Sequence, residues 1–271
     1  MRDQHQRAPE TDQSPGVPAL AETLFLSDAQ LRASRLDLSR TAFPPRLRPK
    51  AGLGVLDITE FYGDTTGGVR TYLREKAGYV EAHPAYRQVL ALPGSRDAIS
   101  ESQGVRVYRL KGPMVPKQAP YRFMLATRSN RRIVTHERPD VIEVGSPGLV
   151  PWIVRLAARG LDIPVVAFYH SNFPRVFSPW PERAPWWKRK MHNLAWRYAR
   201  RIDRHFAHTI VCSRFVMDDL HRAGIDRVTL IPLGVDLVRY HPRRRAKREE
   251  VRARYGLPAG PVAGFVGRFS P

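Results

Sequence analysis

Cysteine is almost missing from the chain: Cys212 is the single one in 271 residues. No intramolecular disulfide can form, and a reducing compartment fits best. Neither Cys212 nor His170 has a partner at zinc-ligand spacing, which argues against a metal centre. No run approaches the roughly 18 apolar residues that a bilayer-spanning helix needs. The early segment "VPALAETLFL" is broken by Glu22, so no signal peptide is expected. Short chemical motifs are missing too. There is no Gly-x-Ser-x-Gly elbow, no Walker A loop and no Gly-x-Gly-x-x-Gly fingerprint. The lack of Asp-x-Asp disfavours a nucleotide held through a metal in that way. No finger, helix-turn-helix or RNP-like aromatic pattern stands out, so no nucleic-acid partner is expected.

Acidic charge is also in short supply. Lys and Arg number 45 against 25 Asp and Glu, for a formal net charge of +20. That field suits anionic partners such as lipid head groups or phosphorylated small molecules, and it equally suits a solvated Arg-rich surface. The densest cluster, "RYHPRRRAKREEVRAR" at 239–254, carries Glu249 and Glu250 inside it. With 42% hydrophobic and 26% charged residues, the bulk reads as soluble and globular.

Residues 1–50 lack a sustained period and read as a mostly disordered extension, with a short helix near 27–37. Order is expected from "GLGVLDITEFYG" onward. Strands are predicted at 55–58, 87–94, 104–110, 140–148, 163–170, 208–213 and 227–236, from short apolar runs ended by Gly, Pro or Asp. Helical spacing is predicted over 67–81, 121–137, 149–160, 183–205, 213–224 and 245–255. Seven apolar strands alternating with helices imply a Rossmann-like α/β fold, a parallel sheet covered on both faces. The main domain spans 51–240. Residues 241–271 read as a linker and the first strand, "GPVAGFVGRFSP", of a second domain. Ligands on such sheets sit outside the carboxyl ends of the strands.

That rule singles out His170, which ends the apolar run "IPVVAFYH". A lone His there is more often structural than functional. Gly67 and Gly68 in "FYGDTTGGVRTYL" open a helix and could let backbone N–H groups approach a phosphate, or merely permit a tight turn. Ser213 reads as a helix N-cap. Gly234 sits in the turn of "IPLGVDLVRYHP". Arg268 ends a strand and could pair with a diphosphate. His192, His205 and His208 look like surface positions on or after a basic helix.

Singly these signals are weak, but their order is specific. The Gly-Gly loop, "FYHSNFP", "VCSRF", "IPLGVDLVRYHP" and "GFVGRFSP" together resemble family 4 glycosyltransferases of the GT-B fold, over roughly residues 53–271. The bacterial mannosyltransferase and sulfoquinovosyltransferase branch is the most similar. The resemblance implies a retaining transfer of a hexosyl group, mannosyl or glucosyl, from a nucleotide-diphosphate sugar to a glycan or lipid-linked acceptor. It implies the acceptor-binding amino-terminal GT-B domain, with no bound metal or cofactor. It implies that His170 sits beside the transferring sugar, and that Gly67, Gly68 and Arg268 meet the donor diphosphate. Tyr62, Arg70, Asn172 and Arg175 become acceptor contacts. The departures are Leu233, where the family has Asn before Gly-Val-Asp, and Asn172, where Asp is frequent.

In the family "GR-(hydrophobic)-SP" is followed by Glu-Lys-Gly, whereas this sequence stops at Pro271. The expectation is a chain cut before the donor domain and inactive alone. The alternative is a non-catalytic binding remnant. The resemblance also implies a cytoplasmic location. The basic-aromatic stretch 183–201 then becomes either a helix docked on an anionic membrane or a helix that buries Trp186, Trp187 and Trp196.

Overall fold

The computed structural model describes residues 24–47, 52–63, 67–116, 118–177, 183–237 and 240–265. The chain forms two compact units, Met1–Pro232 and Leu233–Pro271.

The first unit is built on an eight-stranded sheet. Its strands are β1 (Gly54–Ile58), β2 (Arg87–Gly94), β3 (Ala98–Ser102), β4 (Val105–Lys111), β5 (Val141–Val144), β6 (Val165–Tyr169), β7 (His208–Val211) and β8 (Val228–Leu230). The order is β3-β4-β2-β1-β5-β6-β7-β8. Every pairing is parallel except β3 with β4. The α/β expectation holds, with one added strand. β3, "AISES", is short and polar and carries little of the apolar signal that marks the others. It exists because Gln103 and Gly104, at φ 25 and 83, form a tight hairpin turn onto β4. β8 is shorter than expected, since Pro232 has no N–H to extend the ladder.

The helices of this unit are α1 (Asp28–Leu31), α2 (Gly68–Ala82), α3 (Thr127–Glu137), α4 (Val150–Ala157), α5 (Phe173–Phe177), α6 (Trp186–Asp203) and α7 (Arg214–Arg222). Ser213 caps α7 through its side chain, as the sequence suggested. α3 starts six residues later than predicted. Residues 121–126 instead return alongside 113–115, with Met114 bridging Arg122 and the Phe123 amide donating to Pro113 O.

Strand alternation sends side chains to two different layers. Leu56, Ile58, Val89, Ala91, Ile142 and Val144 face α3 and α4 in the larger core. Leu90, Leu92, Val105 and Val107 face α2, against Leu73, Ala77 and Val80. Each fully buried Leu or Val contributes about 1.5–3 kcal/mol of transfer free energy.

Within the stretch 1–50, expected to be a mostly disordered extension, the described residues 24–47 are packed on the sheet, and residues 1–23 and 48–50 lie outside the described residues. Residues 24–47 wrap the β3 edge of the sheet. Leu24 and Phe25 pack in the α2 layer, while Leu38 and Phe43 pack in the α3 layer. Basic side chains grip the segment by its carbonyls. Arg132 donates to Leu38 O and Thr41 O, Arg106 donates to Pro45 O, and His136 pairs with Pro44 O. The Leu38 amide donates to the Asp97 carboxylate, and Leu36 bridges Asp97.

In the second unit a 3-10 turn, Pro242–Lys247, leads into α8 (Arg248–Tyr255), closed by Gly256 at φ 59. This is the basic helix expected at 245–255. The further strand expected after it is not formed over 261–265, where no neighbouring strand takes up the backbone groups. Residues 266–271, Arg268 among them, lie outside the described residues.

Candidate active site

At the carboxyl ends of β1, β5 and β6, Phe61, Gly145, Ser146, His170 and Ser171 line one end of a recess that runs inward past Ala199, Ile202, Phe206 and Leu220 of the core. β1 ends in Thr59 and Glu60, β5 in Gly145 and Ser146, and β6 in His170. The imidazole is half-buried. Its Nε2 would lie 3.3 Å from a Cβ at Gly145, and Thr59 Cβ would lie 3.1 Å away. A side chain at 145 would therefore press on both, and glycine keeps this approach open. In sequence "EVGSPG" shows only a strand and turn and Thr59 only the end of β1, so neither Gly145 nor Thr59 stands out as a site residue.

Aromatic edges fix the imidazole. His170 packs edge-on against Phe168 at 4.3 Å and against Tyr72 at 5.2 Å between ring centroids. Burial drives its pKa from 6.5 down to about 4, with Lys76 assisting and Asp57 opposing. At neutral pH the ring is uncharged, so it can donate one hydrogen bond and accept another.

Beside it, Glu60 turns to α4. Its carboxylate accepts from the Leu149 and Gly148 amides, and a Cβ at Gly148 would collide with it. Burial raises the Glu60 pKa against those two bonds. The amide end of α4 is thereby taken by a side chain of the protein itself. At α2 no side chain among the described residues caps the first turn. Gly67 stands at its N-cap with φ 126, a backbone region that favours glycine. A Cβ on Gly67 would sit 3.8 Å from the Tyr121 hydroxyl, and Gly68 has open space around it. Tyr121 also packs its ring edge against Phe61 at 6.4 Å. It lay within a predicted helix, and only the turn at 113–123 brings it here.

The other expected contacts fall into place unevenly. Arg70 is half-buried on the first turn of α2. Tyr62 is 3% exposed and is covered by Phe25 and the Arg109 guanidinium. Asn172 and Arg175 both donate to Asp219 of α7, at 2.7 Å and at 2.6 and 2.8 Å. Those bonds, with the Arg175 bond first, hold the Asp219 carboxyl below its usual range. Neither residue lines the recess. His192 is buried rather than on the surface. Its Nδ1 lies 3.1 Å from Pro174 O, and its Nε2 accepts from Trp196 at 3.0 Å, which joins α5 to α6. Trp186 and Trp187, however, are 70% and 51% exposed, so α6 does not bury them. No helix among the described residues is long and apolar enough to cross a membrane.

The family described as Glycosyltransferase Family 4 matches residues 66–239, from the α2 turn to the end of the first unit and beyond. The chain belongs to glycosyltransferase family 4. A GDP-mannose-dependent alpha-mannosyltransferase of Mycobacterium tuberculosis is 34% identical over 184 residues, 66% of this chain and 45% of that protein. A GDP-mannose-dependent alpha-(1-6)-phosphatidylinositol dimannoside mannosyltransferase of the same species is 28% identical, over 80% of this chain and 54% of that protein. The chain thus spans about half the length of the curated relatives it matches. Among solved structures, sucrose-phosphate synthase from Thermosynechococcus elongatus superposes with a TM-score of 0.50 at 16% identity, over 76% of this chain and 53% of that one. That likeness concerns the fold. For this family 4 chain it agrees with a GT-B half built on the mostly parallel sheet.

Proposed function

We propose that the chain contributes the acceptor-side wall of a retaining hexosyltransferase that uses a nucleotide-diphosphate sugar, with GDP-mannose the first donor to test. The observation that carries this reading is the uncharged imidazole of His170 at the carboxyl end of β6, held over Gly145 and edge-on to α2. Sugar transfer develops positive charge at the anomeric carbon. A neutral imidazole can hydrogen-bond a sugar hydroxyl there without repelling that charge. The first turn of α2, at Gly67 and Gly68, where no described side chain takes the amides, offers backbone N–H groups and the positive end of a helix dipole to the diphosphate. Arg268 is assigned to the leaving group by the family resemblance. Arg70 is the acceptor contact we retain, while Tyr62, Asn172 and Arg175 act as supports through the contacts described above.

The name of one relative includes a phosphatidylinositol glycolipid. A lipid-linked acceptor is accordingly the preferred class here. Exposed Trp186 and Trp187 with Lys188, Arg189 and Lys190 make the first turn of α6 a basic-aromatic end that suits an anionic bilayer surface. Replacing both Trp by Ser should then reduce co-flotation with vesicles containing phosphatidylinositol, and unchanged flotation would remove α6 from membrane contact.

The deciding experiment is transfer of labelled hexose from GDP-mannose by this chain, alone and joined to the second half of a family relative; no transfer by either would overturn the reading. His170→Ala should lower turnover roughly a hundredfold, the loss typical for one pre-organised polar group. Unimpaired turnover in a folded variant would take His170 out of the mechanism.

A further inference from the structure

The hydrogen bond that places His170 runs from its backbone N–H to Phe168 O, and it leaves the ring to be set by packing. Two aromatic rings do that work, and they are not equivalent. Phe168 comes from the same strand. Tyr72 comes from α2, across the layer, and stacks on Phe168 at 4.7 Å while its edge meets the imidazole.

Tyr72 is itself anchored. Its hydroxyl donates to both carboxylate oxygens of Glu143, at 2.9 and 3.2 Å. Glu143 Oε2 accepts from Lys76 Nζ at 2.8 Å, and Lys76 reaches Asp57 at 2.7 Å. Asp57 also accepts from the Gln88 amide at 2.6 Å. Asp57 and Glu143 are register partners on β1 and β5, so two carboxylates stand side by side under α2. Tyr72 and Lys76, four residues apart on α2, descend onto them from the same helix face. Packing alone needs none of this. Apolar side chains at 57, 72, 76 and 143 would fill the same layer without burying an ammonium and two carboxylates, an arrangement whose desolvation costs free energy.

We propose that Tyr72 is the positioning residue for His170, and that the Asp57–Lys76–Glu143 cluster serves to lock the Tyr72 ring in the orientation that aims the imidazole at the recess. The inference rests on the reading of His170 as the cleft group. Its test reads the imidazole itself, so failure of the transfer role and failure of the positioning role can be told apart.

The 271-residue chain is labelled at its nine histidines, and the ring resonances are followed through a pH titration, with His170→Gln assigning the signal. Tyr72→Leu removes the ring. It should reduce the ring-current shift of the His170 signal to the part due to Phe168 and raise its midpoint by about one pH unit or more, from about 4 toward 6.5, as water replaces the Tyr72 ring. Tyr72→Phe keeps the volume and removes only the tie to Glu143. It should move or broaden the His170 signal while the His136 and His192 signals stay in place. This second variant decides the matter where Tyr72→Leu does not fold. A His170 signal and midpoint unchanged in Tyr72→Phe, with stability alone reduced, would overturn the proposal, because a ring that only fills space predicts that result.

Discussion

Two buried ion clusters lie on opposite faces of the same sheet, and they are built to opposite rules. On the α3 face, Glu137 is fully enclosed with two arginines. Arg106 reaches it at 2.6 Å and Arg87 at 3.5 Å. The Tyr108 hydroxyl donates to it at 2.6 Å. Surplus guanidinium donors go to backbone carbonyls of Glu137, Arg138 and Pro45, and to Glu101. On the α2 face the imbalance is reversed: one lysine serves two carboxylates. An arginine stays charged under all ordinary conditions, so neither cation of the first cluster changes its charge. A carboxylate can take up a proton. Burial, joined by the neighbouring Glu143 and opposed by Lys76, raises Asp57 from 3.8 to about 7. The first cluster is a permanent lock that holds the wrapped segment to the sheet. The second can change its charge, and it lies next to the imidazole.

The largest effect should come from the lock. Glu137→Ala leaves two guanidinium groups in the interior without their carboxylate and should cost about 3–5 kcal/mol in urea unfolding. A cost below about 1 kcal/mol would erase the distinction between the clusters. Lys76→Met should cost less, about 2–3 kcal/mol at pH 8, and its deficit should shrink at pH 5.5, because the stranded carboxylates can protonate. A deficit independent of pH would mean that the α2-face cluster is as fixed as the other.

The smallest effect is the most specific. The folded-state pKa of Asp57, about 7, lies above its unfolded value of 3.8. Between those limits the folded state holds a proton that the unfolded chain has released, so this group makes stability fall as pH rises. His170 runs the other way. Its folded value of about 4 lies below 6.5, so its contribution is lost as pH falls through that window. Asp57→Asn should remove the falling limb and leave the rise due to His170 between about 4 and 6.5 in stability measured against pH. An unaltered profile would show that Asp57 titrates normally.

Much of this architecture could be read from residue order. Apolar runs such as "IPVVAFYH" and "DVIEV" bury two faces and mark parallel strands, and His170 stood out because it ended one of them. The lysine of the second cluster was hidden in an ordinary amphipathic helix, where Lys76 looks solvent-facing until β1 and β5 place carboxylates beneath it. A signal did exist. Asp57 and Glu143 each interrupt an apolar strand, and a charge in that position needs a partner. Residues 24–47 were harder to read. Leu24, Leu31 and Leu38 recur every seven residues as on a helix, yet only Asp28–Leu31 is helical and the anchors bend around an edge with Phe43. Arg175 and Asn172 looked like ligand contacts because they follow His170, yet the short α5 turns them toward Asp219.

The segment that bends around β3 also bears on how the molecule behaves among copies of itself. A bare outer strand offers its unused amide and carbonyl groups to any other chain and can seed intermolecular sheets. Here Leu36 and Ser34 occupy Asp97 at the start of β3, and Ser100 donates to Leu24 O along it. Residues 24–47 cover that outer strand, so a recombinant version begun at residue 52, which keeps β1 and the cleft, should aggregate more readily in light-scattering measurements.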